Sequence, residues 1–522
     1  MRPVSILSWD DKKRSHMIAA AIVVGAALLP VAGTVASLGA QAGASVATVI
    51  VAPVPGHEAQ ATAAIVAAGG HVTNQVALID ATVATVPSNR AAWLSRQPGV
   101  ADVTPDAGVQ LMSGGTVTQS TAHTLTATLH DIGVDRAWSQ GYTGQGVGVA
   151  LIDSGVAAVN GLTAPGKVVN GPDLSTDASS PALRYTDGFG HGTHMAGIIA
   201  GREDAATGHY ATDTTDFLGA APDAHIVNVK VASANGSSDL VRILLALDWI
   251  VRHHSDPGLN IRVVSLSFGT KTTLPYVFDP LTYAAEAAWH NGIVVVASAG
   301  NAGASAAGLT DPAMDPFVIA VGATRDARTA AGGVTFTAAP FSSAGTTART
   351  PDVAAPGTSI MSLRAPGSYI DTHYPGARVG TRFFLGSGTS QATAMTAGVA
   401  ALIVSKYPNA TPDQVKDMLV STATSVAGGS KLVDGAGEIL ANAALAASPR
   451  PVTQNFPVAT MGMGGGGQAA PSTGSWSTGS WSTGSWSSTS WASSSWSTGS
   501  WSSSSWSSGS WSSSSWSSSS WS

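Results

Sequence analysis

Five largely apolar runs, Val147–Ile152, His225–Val231, Val263–Ser267, Ile293–Ala297 and Phe317–Val321, recur between residues 132 and 447 and alternate with longer segments of helical period. Strands apolar on both faces cannot line a sheet open to water. They specify a parallel sheet with helices on both faces. Between two of the runs, Leu240, Ile243, Leu244, Leu247, Ile250 and Val251 recur at helical spacing and mark one face of a helix. Thr411-Pro412-Asp413-Gln414 supplies an N-cap, a proline at the first helical position and a capping-box glutamine. The segment 132–447 is therefore expected to be an α/β domain.

The whole chain has 522 residues, more than one compact domain of roughly 100–200 residues accounts for. With 44% hydrophobic and only 11% charged residues, it is not a disordered polypeptide taken as a whole. Lys and Arg number 25 against 31 Asp and Glu, a net charge of −6 that leaves no basic footprint and excludes nucleic acid as a partner. The absence of cysteine removes disulfides, thiolate zinc sites and every cysteine nucleophile.

The flanks divide further. Lys12, Lys13 and Arg14 precede an uncharged run from Met17 to Ala44 with small-residue cleavage sites, so 1–42 reads as a secretory signal peptide; the run is also long enough for an uncleaved anchor. In 46–112, strand-like Ala47–Ala52, helical Ala61–Ala68, two strand-like pieces in Val72–Val86, a helix Asn89–Arg96 and a strand Val100–Val109 give the order β-α-β-β-α-β, that of a small ferredoxin-like module. Residues 113–131 read as an exposed linker and 448–471 as a Gly-rich one. In the tail 472–522 tryptophan recurs every fifth residue from Trp476 to Trp521, a period of neither helix nor strand.

Three segments set a reactive residue type among glycines at the edge of an element. Val149-Ala150-Leu151-Ile152-Asp153 ends a buried strand in a carboxylate, where an α/β sheet forms its ligand crevice. Gly190-His191-Gly192-Thr193-His194 and Gly388-Thr389-Ser390-Gln391-Ala392 each open a helix, the second placing Ser390 at a positive helix end. Acyl transfer to a hydroxyl needs a nucleophile, a base and a carboxylate that orients the base; Ser390, His191 and Asp153 fit those roles in the chain order Asp, His, Ser.

These segments resemble the D-[ST]-G, H-G-T-H and G-T-S-x-A signatures of subtilases, the subtilisin-like serine peptidases. The resemblance runs through Gly219-Ala220-Ala221-Pro222, Ser265-Leu266-Ser267-Phe268-Gly269, Val318–Ala323 and Ala355-Pro356-Gly357. It implies a subtilisin-like fold and a Ser390–His191–Asp153 triad. It also implies an oxyanion hole formed by Asn301 with the Ser390 N–H, and extended substrate held against Ser267, Phe268 and Gly269 and against Ala297, Ser298, Ala299 and Gly300 around the pocket for the side chain before the cut. Residues 46–112 resemble the family's inhibitory propeptide through Val86-Pro87-Ser88 and Pro98-Gly99-Val100. The chain would then be its own inhibitor until cut between Met112 and Asp131. Thr310, before Asp311-Pro312, falls near the pocket floor and implies a preference for medium apolar side chains.

The sequence departs from the family at Gln391 and Ala394, where methionine and proline are common, and at Asn160-Gly161-Leu162, where a calcium-binding carboxylate is missing. The chemistry requires no cofactor, and structural calcium stays undecided. His191 and His194 lack the i, i+4 spacing and the glutamate of zincins, which makes His194 structural. The expected function is a secreted serine endopeptidase acting on proteins or peptides. The competing reading is a surface protein whose Trp-repeat tail contacts cell wall or polysaccharide.

Overall fold

The structure, a computed structural model, describes residues 45–111, 124–206, 208–305, 308–328 and 333–461. The expected signal peptide, the first part of the 113–131 linker and the Trp-repeat tail lie outside them.

The N-terminal module contains Val46–Pro53 (β1), Glu58–Ala67 (α1), His71–Val76 (β2), Ala81–Pro87 (β3), Ala91–Leu94 (α2) and Val100–Pro105 (β4). Its strands are antiparallel in the order β2-β3-β1-β4, the ferredoxin-like arrangement. Side chains alternate across this sheet. Val49, Val51, Ala84 and Val86 pack with Ala61, Ile65 and Leu94 from its own helices. Ile50, Val76, Ile79 and Val83 join the core of the α/β domain instead. The expected helix 89–96 is shorter than its sequence suggests, a 3₁₀ turn Ser88–Arg90 followed by α2.

The expected strand 100–109 is divided in two: β4 ends at Pro105, with Asp106 N still donating to the Thr48 carbonyl at 3.0 Å. The Asp106 carboxylate reaches the other way and accepts from Val241 N at 3.2 Å. The chain then leaves the module as Gly108–Leu111 (β5).

After the short helices Leu125–Asp131 (α3) and Val134–Ser139 (α4), the α/β domain runs through Gly148–Asp153 (β6), Val168–Asp173 (β7), His191–Ala200 (α5), His225–Lys230 (β8), Ser237–Asp239 (β9), Leu240–His253 (α6), Ile261–Leu266 (β10) and Phe268–Gly269 (β11). It continues with Pro280–His290 (α7), Val294–Ser298 (β12), Ile319–Arg328 (β13), Val334–Ala338 (β14) and Val353–Pro356 (β15). The main sheet has the order β14-β13-β12-β10-β6-β8-β7, with β15 also paired to β13. Every pairing in it is parallel except β13 with β14. Every residue of β6 and β12 is buried, as both-face apolar strands require.

A small antiparallel sheet follows, Ile360–Leu363 (β16), Arg378–Val379 (β17) and Phe383–Gly386 (β18), with Tyr369–His373 (α8) between its strands. Then comes Thr389–Lys406 (α9), buried on all sides from Thr389 to Val404. Ala394 sits inside it, where alanine continues the helix without a kink. Pro412–Ser421 (α10) begins with the expected Thr411–Gln414 capping box.

Where a linker is expected from residue 448, the chain stays on the domain. Arg450 pairs with Asp417, Gln454 donates to the Phe317 carbonyl at 3.0 Å, and Phe456 stands edge-on to Phe317 at 5.5 Å between ring centres. Ala459 N donates to Glu286 at 2.8 Å.

Candidate active site

β6 lies between β8 and β10, the point where the chain's successive strands begin to add on the opposite side, and such switch points open a crevice at the carboxyl ends of the strands. Asp153 is the last residue of β6 and is 1% exposed. Its two carboxylate oxygens lie 2.9 and 2.8 Å from His191 Nδ1. His191 is the first residue of α5, and the preceding Gly190 has φ 107°, a left-handed conformation that places the imidazole over the strand end. With Nδ1 bound to the carboxylate, proton exchange with a substrate group would pass through Nε2.

Asp187 secures this arrangement from behind. Its buried carboxyl accepts from Gly190 N at 2.6 Å, and from Thr193 N, Thr193 Oγ1 and Ser154 Oγ at 2.7, 2.7 and 2.8 Å. Burial pushes that carboxyl up, against the pull of the Thr193 and Gly190 donors. Ser154 Oγ also lies 3.1 Å from Asp153 Oδ1 and accepts from Gly192 N. One buried acid thus ties the first turn of α5 to the residue that follows Asp153. His194, on the same turn, is driven by burial down to about 3 and stays neutral. That fits the structural role expected of it.

Ser390 is the second residue of α9 and is fully buried. Its Oγ lies 3.0 Å from the carbonyl of Ser267, and Ser267 Oγ lies 3.3 Å from the carbonyl of Ser390. α5 and α9 pack on each other, and a Cβ on Gly386 would stand 2.9 Å from His194 Nε2, so the start of α9 meets the first turn of α5.

Asn301 follows β12. Its Oδ1 accepts from Thr389 N at 2.9 Å and from Thr389 Oγ1 at 3.0 Å, which sets the orientation of the amide. Nδ2 is buried and has no hydrogen-bond partner among the described residues. A Cβ on Gly388 would be 3.2 Å from it, so this donor faces the turn that presents Ser390.

The other expected residues divide into two groups. Phe268 and Gly269 form β11, which pairs antiparallel with β5 of the N-terminal module, and β9 pairs with the other edge of β5. Ala297 and Ser298 belong to β12 and lie beside that ribbon without pairing to it; Ser298 Oγ donates to the Phe268 carbonyl at 3.1 Å. Gly300 has φ 114° and little room, since a Cβ there would lie 2.7 Å from Ser343 Oγ and 2.9 Å from Thr310 Cγ2. Thr310 also crowds Gly269 and donates to the Ser298 carbonyl at 2.8 Å, standing between the two glycine-lined walls.

Sequence reasoning missed β9 and Asp187. The carboxylate four residues before His191 was the available signal for the latter. Among the described residues no group of three or more His, Cys, Asp or Glu is placed to hold a metal ion.

A histidine held by a carboxylate at the switch point of a parallel sheet, and a serine beside an unpaired amide donor, are the parts that a serine-hydrolase type of site requires. A family model described as the subtilase family matches residues 144–440, and the chain belongs to that family of serine peptidases. Over 366 residues it is 34% identical to Subtilisin E of Bacillus subtilis, a match covering 68% of this chain and 78% of the relative. Serine protease AprX of the same species is 39% identical over 287 residues, 54% of this chain and 62% of AprX, less than two thirds of that relative's length. Among solved structures, fervidolysin from Fervidobacterium pennivorans, a keratinolytic enzyme related to subtilisin, aligns with a TM-score of 0.62 over 79% of this chain and 62% of its own, at 24% identity; this likeness supports the fold.

Proposed function

We propose that the chain is a secreted serine endopeptidase of the subtilisin type, made as a zymogen that processes itself. Ser390 Oγ attacks a peptide carbonyl, His191 Nε2 takes its proton and later gives it to the leaving amine, and Asp153 holds the imidazole in the required tautomer and balances its charge. Asn301 Nδ2 and the Ser390 N–H receive the developing oxyanion. The observation that carries the reading is the Asn301 amide, whose oxygen is held by Thr389 at 2.9 Å and whose nitrogen is left buried and unpaired beside the Ser390 turn. A buried donor without a partner costs about 1–3 kcal/mol. An arriving oxyanion relieves that cost.

The N-terminal module supports the zymogen reading because its last strand occupies the ribbon between β9 and β11, where an extended peptide would add by strand pairing. The charged start and apolar run of residues 12–44 support export; no helix among the described residues is long and apolar enough to cross a membrane. The regularly spaced tail tryptophans suit retention on cell wall or polysaccharide, which truncation before Ser472 tests directly.

The deciding experiment labels secreted wild type and Ser390→Ala with a fluorophosphonate and follows hydrolysis of a denatured protein. Label and hydrolysis in the wild type alone are expected. A wild type that neither labels nor hydrolyses overturns the reading.

A further inference from the structure

Among the described residues Tyr369 and Tyr374 are exposed, at 41% and 57%, while every phenylalanine, every tryptophan and every other tyrosine is at least partly covered. Tyr369 opens α8 and Tyr374 ends it. Exposed rings gathered at one place on a domain that covers its others mark a surface that something else meets.

The Tyr369 ring belongs to a stack. It lies over Phe189 with 5.7 Å between centres and 18° between planes, and over His373 at 3.9 Å and 21°. Backbone bonds fasten the stack to the loop that ends at His191: Tyr369 N donates to the Gly188 carbonyl and Ile370 N to the Phe189 carbonyl, each at 2.9 Å. A Cβ on Gly190 would stand 2.5 Å from Ser368 Oγ and 3.3 Å from Ile370 Cβ, so α8 leans directly on that loop. From behind, the buried Asp371 accepts from Arg378 Nε at 2.7 Å and from Gly367 N at 2.9 Å. The rings are held in place before anything binds, which keeps the ordering cost of a contact low.

The inner end of the stack meets the β9–β5–β11 ribbon. A Cβ on Gly236, the residue before β9, would stand 2.5 Å from Phe189 Cε2. Each residue forward along β5 is one back along β9, from Asp239 opposite Gly108 to Ser237 opposite Gln110. A peptide lying as β5 does therefore advances toward Gly236, then past Phe189 abreast of His191, and then past Tyr369.

We infer that α8 is a recognition ledge for the leaving part of the substrate, and that it takes an aromatic side chain carried within about three residues after the cut. The inference rests on the peptidase reading, with β5 marking the direction in which substrate runs. Extended chain advances about 3.3 Å per residue, so the 5.7 Å from Phe189 to Tyr369 spans about two residues of it. Stacked rings present their edges along the side of the stack, and an edge takes the face of another ring.

The test measures kcat/KM of the secreted, processed enzyme on internally quenched peptides that share one upstream sequence, with the cut position read by mass spectrometry. The downstream part is all alanine, or carries one phenylalanine at the first, second or third residue after the cut. Phenylalanine at one of these places should raise kcat/KM about tenfold over alanine. Tyr369→Ser and Tyr369→Leu should each bring that gain below about threefold, the second keeping Phe189 covered if the first does not fold, and Tyr369→Phe should retain it. Fluorophosphonate labelling of each variant reports whether its site is intact. A wild type that gains nothing from phenylalanine, or a gain that survives in a labelled Tyr369→Ser or Tyr369→Leu, overturns this inference and leaves the proposed activity standing. A wild type that neither labels nor cuts any of the peptides overturns both.

Discussion

The α/β domain and the N-terminal module are both folded, yet they hold their polar groups differently. Around the candidate site the hydrogen bonds are buried and redundant: Asp187 alone takes four donors, and Asp153, Ser154 and the first turn of α5 share them. The module is fastened by separate contacts, Leu78 N to Asp248 at 2.9 Å, Val241 N to the half-buried Asp106 at 3.2 Å, and the β5 pairings. The module also lends Ile50, Val76 and Val83 of its sheet and Ile79 of the turn between β2 and β3 to the domain's core, leaving a small core of its own. On the proposed zymogen reading, a site wired redundantly keeps its geometry when the module leaves. A cover held by independent contacts can be released one contact at a time.

The sharpest test of the domain's side of this contrast removes the proposed nucleophile. Ser390→Ala should lower kcat by about 10⁶, the scale known for that nucleophile in subtilisin, without loosening the fold, since alanine suits a buried helix position. Turnover on a peptide ester and circular dichroism check both halves. Next in size is Asn301→Ala, which should cost about 10²–10³ in kcat with KM little changed, the known effect of removing one such donor in subtilisin. An equal loss in KM would mean that the amide holds the ground state instead.

The difference between the two parts also separates what was legible in the sequence from what was not. The five buried runs, the α6 stripe and the Thr411 capping box are local patterns, and each corresponds to an element in place. Asp153, His191, Ser390 and Asn301 stood out because glycines and small residues flank them where backbones crowd together. β9 is three polar residues and β5 only four residues, too short for a periodic pattern to mark, and both exist only through pairing with distant partners. Residues 450–460 read as linker for the same reason: their anchors are Asp417, Phe317 and Glu286, and no local periodicity reports such contacts.

Asp187 probes the redundancy itself. Asp187→Ala leaves Gly190 N and Thr193 N without their acceptor inside the domain, which should cost on the order of 2–4 kcal/mol of stability. Because Ser154 still meets Asp153, turnover should fall only about tenfold, mainly in kcat. Denaturant titration and steady-state kinetics on one preparation separate the two. A loss as large as that of Ser390→Ala would mean that the site depends on this single acid and that the wiring is not redundant.

The smallest effect concerns the fastening of the module. Burial, reinforced by the neighbouring Asp239 and opposed by Val241 N and Arg242, raises the Asp106 carboxyl to about 6 in the assembled chain. Once the module is free, that carboxyl returns toward its ordinary value of 3.8. An acid whose value is raised by assembly favours assembly while protonated, so the contribution is complete at low pH and lost as pH rises through about 6. Asp106 lies half in solvent, which limits the effect to about tenfold or less in inhibition constant between pH 5 and pH 8. The isolated module added to the mature enzyme should therefore inhibit more tightly at pH 5. Asp106→Asn, which keeps an oxygen for Val241 N but cannot titrate, should flatten the dependence while leaving inhibition in place. If the wild-type module binds more tightly at pH 8, or if the asparagine variant keeps the same pH profile, release is governed by other groups on the interface and not by the contact of Asp106 with the first turn of α6.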